Sequence, residues 1–331
     1  MQYRKLGQTD IDVSVVAMGC WAFAGGDPWG DQDDRDSIAT VAAALDVGVN
    51  FFDTAEGYGA GRSEEVLGRA LAGRRREAVI ATKVSGANLS DEGIPLACER
   101  SLRRLNTDYI DLYQVHWPNP NIPIAETLGA LEKLKAQGKV RALGVSNFGV
   151  RQLTELLAVG RVETNQLSYS LIWRALEYEI APLCIENEIG ILCWGPLTEG
   201  LLTGKFATAD DVPPSRAAIR HFSKSRPQTS HGEDGCEALL FETLDCIRQI
   251  AARIGQSMPT VSLAWLLHQP GVTAVLAGSR RPAHIIQNAQ AADLKLPPDV
   301  VAELSAATDE LKRALGPNQD MYLSAAQSRI F

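Results

Sequence analysis

VIATKV, residues 79–84, and YIDLYQVHW, residues 109–117, decide how this chain folds. Each is a short apolar run that closes on an ionisable side chain. Alternate residues of a strand share a face, so Val79, Ala81 and Lys83 point one way, as do Ile110, Leu112, Gln114 and His116. A lysine at the end of a core stripe is not simply solvated. Outward from these two, NFFDTA (50–55) puts Phe51 and Asp53 on one face, and VRALGVS (140–146) ends on Ser146. Asp53, Lys83, His116 and Ser146 are spaced by 30, 33 and 30 residues. Amphipathic stretches fill the gaps; in 124–137, Leu128, Leu131 and Leu134 recur at helical spacing and Gly138 closes the helix. Further β-rich runs stand at 163–168, 190–194 and 272–278.

Strand alternating with helix means βαβ units and a parallel sheet. One polar residue at the same end of each successive strand is what the catalytic face of a closed barrel requires. An open dinucleotide-binding sheet would carry a GxGxxG turn after its first strand, and Gly57, Gly59 and Gly61 have a different spacing. The expected fold is therefore an α/β (β/α)8 TIM barrel. The count reaches eight with residues 15–19 as the first strand, after a short N-terminal hairpin that caps the barrel bottom. One domain is expected over 1–331, with the barrel core at about 15–292 and a C-terminal helical extension over 293–331. A polar, proline-containing stretch, 203–236, follows the seventh strand and opens onto the catalytic face; such loops are usually lids or disordered. The extension carries one amphipathic helix (Val301, Leu304, Leu311), then an irregular end whose aromatics, Tyr322 and Phe331, are expected to fray.

Composition narrows the function. Across 331 residues, 32 Lys and Arg face 40 Asp and Glu, a net charge of −8. That balance argues against nucleic acid and anionic membranes as partners. No secretory segment is visible at the polar N-terminus, so a cytoplasmic protein is expected. Cysteines at 20, 98, 184, 193, 236 and 246 form no CxxC pair, and five histidines form no HExxH, so no metal site is expected. The sequon Asn88-Leu89-Ser90 carries no weight without export.

Asp53, Tyr58, Lys83 and His116, with Tyr58 in the loop above Asp53, resemble the constellation of the aldo-keto reductase superfamily. Five segments carry the resemblance in order: NFFDTAEGYGAGRSEEVLG (50–68), TDYIDLYQVHWPNP (107–120), VRALGVSNFG (140–149), WGPLTEGLLTGK (194–205) and GSRRPAHIIQNAQA (278–291). The likeness is greatest to bacterial reductases near the potassium-channel β subunits. It implies reduction of a small aldehyde or ketone by hydride from NADPH, with NADP+ as product and NADH disfavoured. Tyr58 would be the general acid, its pKa lowered by Lys83; Asp53 would hold Lys83, and His116 would orient the carbonyl. Ser146, Asn147 and Gln166 match the nicotinamide carboxamide positions, and Trp194 stands where relatives carry a stacking tyrosine. Gly195, Pro196, Leu197, Gly200, Leu201, Gly204 and Lys205 match the pyrophosphate loop. Gly278, Ser279, Arg280, His284, Gln287 and Asn288 match the adenosine end, where Arg280 favours a 2′-phosphate. Gly19, Cys20 and Trp21 line the cofactor side after the first strand; Trp21 and Trp117 join Tyr58 and His116 as pocket walls.

Blander readings compete. On residue type alone, the four ionisable groups are also a buried salt-bridge network, and Ser146 with Asn147 is a strand-to-helix cap. Trp194 also reads as core, Cys20 as an inert thiol and Arg280 as a surface residue. At the level of function, the alternative is a nicotinamide-binding regulatory subunit with vestigial turnover. A barrel hydrolase leaves Lys83 unexplained.

Overall fold

The floor of the barrel is built first. In the computed structural model, which describes residues 1–26 and 29–331, β1 (Tyr3–Lys5) and β2 (Asp12–Ser14) pair antiparallel. Leu6, Ile11 and Val13 of this hairpin are buried and pack with Ala17, Phe51, Val79, Ala81, Leu112 and their neighbours in one apolar cluster. That cluster fills the barrel from below, as the hairpin cap requires.

Among the described residues eight strands then close in chain order. They are β3 (Val16–Gly19), β4 (Phe51–Asp53), β5 (Val79–Val84), β6 (Ile110–Val115), β7 (Val140–Ser146), β8 (Thr164–Ser168), β9 (Gly190–Trp194) and β10 (Val272–Gly278). Each pairs in parallel with its neighbour and β10 returns to β3, giving a closed cylinder. The runs at 50–55 and 109–117 shorten to three and six residues, because the chain turns away as it meets the loops. Ile110 departs from the expected inner stripe and packs with the outer, helix-facing core. His116 lies one residue past β6, its N–H still bonded to the Val84 carbonyl.

Between strands run α1 (Asp34–Asp46), α2 (Arg62–Ala70), α3 (Gly93–Leu105), α4 (Ile124–Ala136) and α5 (Val150–Leu157). They are followed by α6 (Ile180–Glu186), α7 (Glu237–Arg253), α8 (Met258–Leu267), α9 (Pro282–Ala289) and α10 (Pro298–Leu315). Leu128, Leu131 and Leu134 bury the inner face of α4. Gly138 turns out of it at φ +74, a conformation that glycine adopts without penalty.

Two expectations of looseness are corrected. The 203–236 stretch buries Ile219, His221 and Phe222. Its Arg220 donates to the Leu315 and Asn318 carbonyls, and Arg226 pairs with Glu237 of α7. The C-terminal segment is docked too. Backbone N–H groups of Arg151 and Gln152 donate to the Phe331 carbonyl oxygen, and Tyr322 donates to Glu199 at 3.0 Å. Fixed partners on the barrel hold an end whose own sequence has no periodicity.

Candidate active site

Strand ends bring the ionisable groups together. Asp53 closes β4, and Lys83 of β5 stands in register with Gln114 of β6. Lys83 Nζ donates to Asp53 Oδ1 at 2.6 Å, the Thr54 carbonyl at 2.9 Å and the Tyr58 hydroxyl at 3.2 Å. An ammonium has three N–H donors, and all three are used. Tyr58 reaches inward because the next residues, Gly59, Ala60 and Gly61, turn left-handed at φ 60, 54 and 99. For Ala60 that conformation costs about 1–2 kcal/mol. The Tyr58 ring meets His116 edge-on at 5.6 Å and stacks on Trp21 at 5.7 Å. Tyr58, Asp53, Lys83, His116 and Trp21 thus form one cluster at the C-terminal mouth. Trp21 also meets Trp29 edge-on at 5.4 Å. Asp27 and Pro28, between these two tryptophans in sequence, lie outside the described residues.

Burial governs the charges. It opposes the Lys83 ammonium, but the Asp53 carboxylate and Tyr58 outweigh it, so the lysine is held above its usual range. For Tyr58 the balance reverses. Burial lifts the phenol above its usual range despite the pull of Lys83, with Asp53 pushing the same way as burial. The expected lowering of the tyrosine pKa is therefore corrected: Lys83 acts in the expected sense, but desolvation is larger. His116 is pushed down to about 3, by burial and then by Lys83, and is a neutral imidazole. Cys20 is driven well up, first by burial, and is an inert thiol.

The residues expected around the nicotinamide form a network with this cluster. Ser146 Oγ donates to the Gln166 carbonyl at 3.0 Å, and Asn147 Nδ2 to Ser146 Oγ at 3.0 Å and the His116 carbonyl at 3.1 Å. Half-buried Trp194 donates to Asn147 Oδ1 at 3.0 Å. Gln166 Nε2 donates to Asp53 Oδ2 at 2.8 Å. Ser146 and Asn147 are not the cap of α5: Gly149 precedes that helix, and its N–H donates to Gln152 Oε1 at 2.8 Å.

On the expected pyrophosphate side, Gly195, Gly200 and Gly204 take positive φ, while Pro196, Leu197 and Leu201 carry the loop between them. A Cβ on Gly200 would sit 3.0 Å from Arg216 Nη1 and 3.1 Å from Lys205 Nζ. Two cations therefore meet over a position without a side chain. Arg216 was not among the expected residues; it comes from the 203–236 stretch, where nothing in the local pattern singles it out. At the adenosine end, Gly278 pairs with Gly19 across β10 and β3. Asn288 donates to the buried Ser279 hydroxyl at 3.2 Å, and His284 and Gln287 are exposed on α9. Arg280 donates to Gln32 Oε1 at 2.7 Å, to the Trp29 carbonyl at 2.6 Å and to the Asp31 carbonyl. Trp117 lies under the Arg329 guanidinium at 4.0 Å, and Arg329 pairs with buried Asp320 at 2.8 Å. The C-terminal segment thus braces the loop after β6.

Among the described residues no group of three or more His, Cys, Asp or Glu side chains is placed to hold a metal ion. Nor is any helix there long and apolar enough to cross a membrane.

The aldo/keto reductase family profile matches residues 15–309. The chain is 37% identical over 304 residues to the aldo-keto reductase YhdN of Bacillus subtilis (strain 168), covering 86% of this chain and 87% of that one. It is 35% identical over 319 residues to the NADH-specific methylglyoxal reductase of Escherichia coli (strain K12), with coverages of 89% and 95%. Among solved structures, an aldo-keto reductase from Klebsiella pneumoniae in complex with NADPH superposes with a TM-score of 0.73 at 28% identity, covering 95% of each chain. With this sequence agreement over a closed barrel of the same kind, the chain belongs to the aldo/keto reductase family and is an oxidoreductase of that family.

Proposed function

We propose that this chain reduces a small aldehyde or ketone to the alcohol with NADPH, as one barrel domain, and that Tyr58 is its proton donor. The observation that carries the reading is a single ammonium, Lys83 Nζ, bonded at once to Asp53 Oδ1 and to the Tyr58 hydroxyl. Desolvation keeps the phenol protonated in the resting site, so the acid is loaded before substrate arrives. Its proton passes to the carbonyl oxygen as negative charge develops there. The phenolate that remains is stabilised by Lys83: at about 4 Å and an effective dielectric near 20, one unit charge is worth roughly 4 kcal/mol. That help grows as the proton leaves, so it is greater in the transition state than in the ground state and accelerates the reaction. Asp53 keeps Lys83 charged and aimed, and the neutral His116 ring beside Tyr58 orients the carbonyl.

The residues present fit a nicotinamide dinucleotide. Lys205 and Arg216 face each other over Gly200, a cradle suited to a pyrophosphate. Ser146, Asn147 and Gln166 would hold the carboxamide, Trp194 would flank the ring, and Ser279, Arg280 and Asn288 would take the adenosine end. When bound, the dinucleotide supplies the hydride. Arg280 supports NADPH, since its guanidinium can exchange loop carbonyls for a 2′-phosphate.

Tyr58→Phe tests the reading. It removes the proton and leaves the ring, so kcat with a generic aldehyde falls about 10²–10⁴-fold while dinucleotide affinity is kept. Turnover close to wild type would overturn it.

A further inference from the structure

Gln114 is buried completely, on the stripe of β6 that runs from Leu112 to His116. An amide costs free energy in such a place unless its hydrogen bonds are made, and a leucine would fill the space without that cost. Here both ends of the amide are engaged. Its Nε2 donates to Asp53 Oδ2 at 3.3 Å, and its Oε1 accepts from Gln166 Nε2 at 3.4 Å. Room for it is made by Gly144 on the neighbouring strand, where a Cβ would come within 3.0 Å of Gln114 Cγ.

The consequence falls on Gln166. A glutamine amide has two N–H donors and one carbonyl oxygen. Both donors of Gln166 are directed inward, one to Asp53 and one to Gln114. Among the described residues no donor reaches its Oε1. We infer that Gln114 is a positioning residue with two roles: its Nε2 steadies Asp53, and its Oε1 locks the Gln166 amide with the carbonyl oxygen presented to the NH2 of a nicotinamide carboxamide. This rests on the reductase reading for the site's ligand. Asp53 is the titratable group bonded to both amides; Lys83 is bonded to it, and Tyr58, Cys20 and His116 are the charged or titratable neighbours of that ion pair.

Two variants separate the roles. Gln114→Met removes both contacts. Gln114→Glu keeps an acceptor for Gln166, but donates to Asp53 only while it holds a proton. Dinucleotide Kd, from quenching of tryptophan fluorescence without carbonyl substrate, and kcat are both measured from pH 5 to 9, beside Tyr58→Phe. Gln114→Met is expected to bind the dinucleotide about tenfold more weakly. Gln114→Glu is expected to keep a Kd within about threefold of wild type while kcat falls about tenfold or more as pH rises, a limb absent from wild type. A wild-type Kd in Gln114→Met, or a wild-type pH profile of kcat in Gln114→Glu, overturns the inference. If Gln114→Met does not fold by near-ultraviolet dichroism, the Gln114→Glu profile decides alone. Undiminished turnover in Tyr58→Phe would defeat the reductase reading instead, and the Kd values, read without turnover, would still judge Gln114.

Discussion

Asp53 and Asp111 are both buried carboxylates paired with cations, and they lie toward opposite ends of the barrel. Asp111, near the start of β6, accepts from Arg75 Nη2 at 2.7 Å and the Ile80 N–H at 2.9 Å on one oxygen, and from Arg141 Nη1 at 2.7 Å on the other. Arg75 also donates to the Ala78 and Tyr109 carbonyls, so this circuit ties strands together and closes on itself. At the other end, Lys83 bonds Asp53 but gives one N–H to a half-buried phenol beside a neutral imidazole. The same pairing of charges holds the fold where guanidiniums from two sides bond both carboxylate oxygens, and becomes reactive where the cation gives one donor to a phenol at the mouth.

Removing one charged partner at each end tests that contrast. Lys83→Met leaves Asp53 beside Tyr58 with nothing opposing it, so kcat is expected to fall at least about 10²-fold, with secondary structure preserved by circular dichroism. Asp111→Ala leaves two guanidiniums without their shared carboxylate. It should cost about 3–5 kcal/mol of stability in urea unfolding, and leave kcat at wild-type level wherever the protein is folded. A loss of turnover in folded Asp111→Ala would break the division between the ends.

Arg280 is an intermediate case, for its partners are loop carbonyls and Gln32, and among the described residues no carboxylate neutralises it. Arg280→Ala is expected to raise the KM for NADPH about tenfold, and that for NADH by less than about threefold. Equal changes would show that the guanidinium does not distinguish the two. The smallest effect concerns pH. With His116 held near 3 and Tyr58 above its usual range, neither group titrates between pH 5 and 9. From these two, wild-type kcat should show no limb in that window; one near pH 6.5 that vanishes in His116→Gln would contradict the neutral imidazole.

Most of this was legible in the chain because one rule operates on nearly every strand, with Ile110 an exception: alternate residues share a face, and the stripes end in polar groups. Val79, Ala81 and Lys83 followed it without exception. What escaped had other causes. Arg216 lies in a stretch with no period, and its place over Gly200 depends on how that stretch folds back. Gln114 was visible on its stripe but had no assigned role, since its meaning depends on Gln166, 52 residues away in sequence. The direction of the Tyr58 shift is not legible in residue types, because it is set by how deeply the fold buries the phenol beside Lys83. Tyr322 and Phe331 were expected to fray because their partners, Glu199 and the start of α5, lie far from them in sequence.

A double-mutant cycle on Tyr58 and Lys83, read as single-turnover hydride transfer, tests the central claim most directly. If Lys83 works through the phenol, Tyr58→Phe combined with Lys83→Met is no slower than Tyr58→Phe alone, and the two losses are strongly non-additive. Losses that multiply would mean that the lysine and the tyrosine act on the reaction separately, and the account of the site would fail.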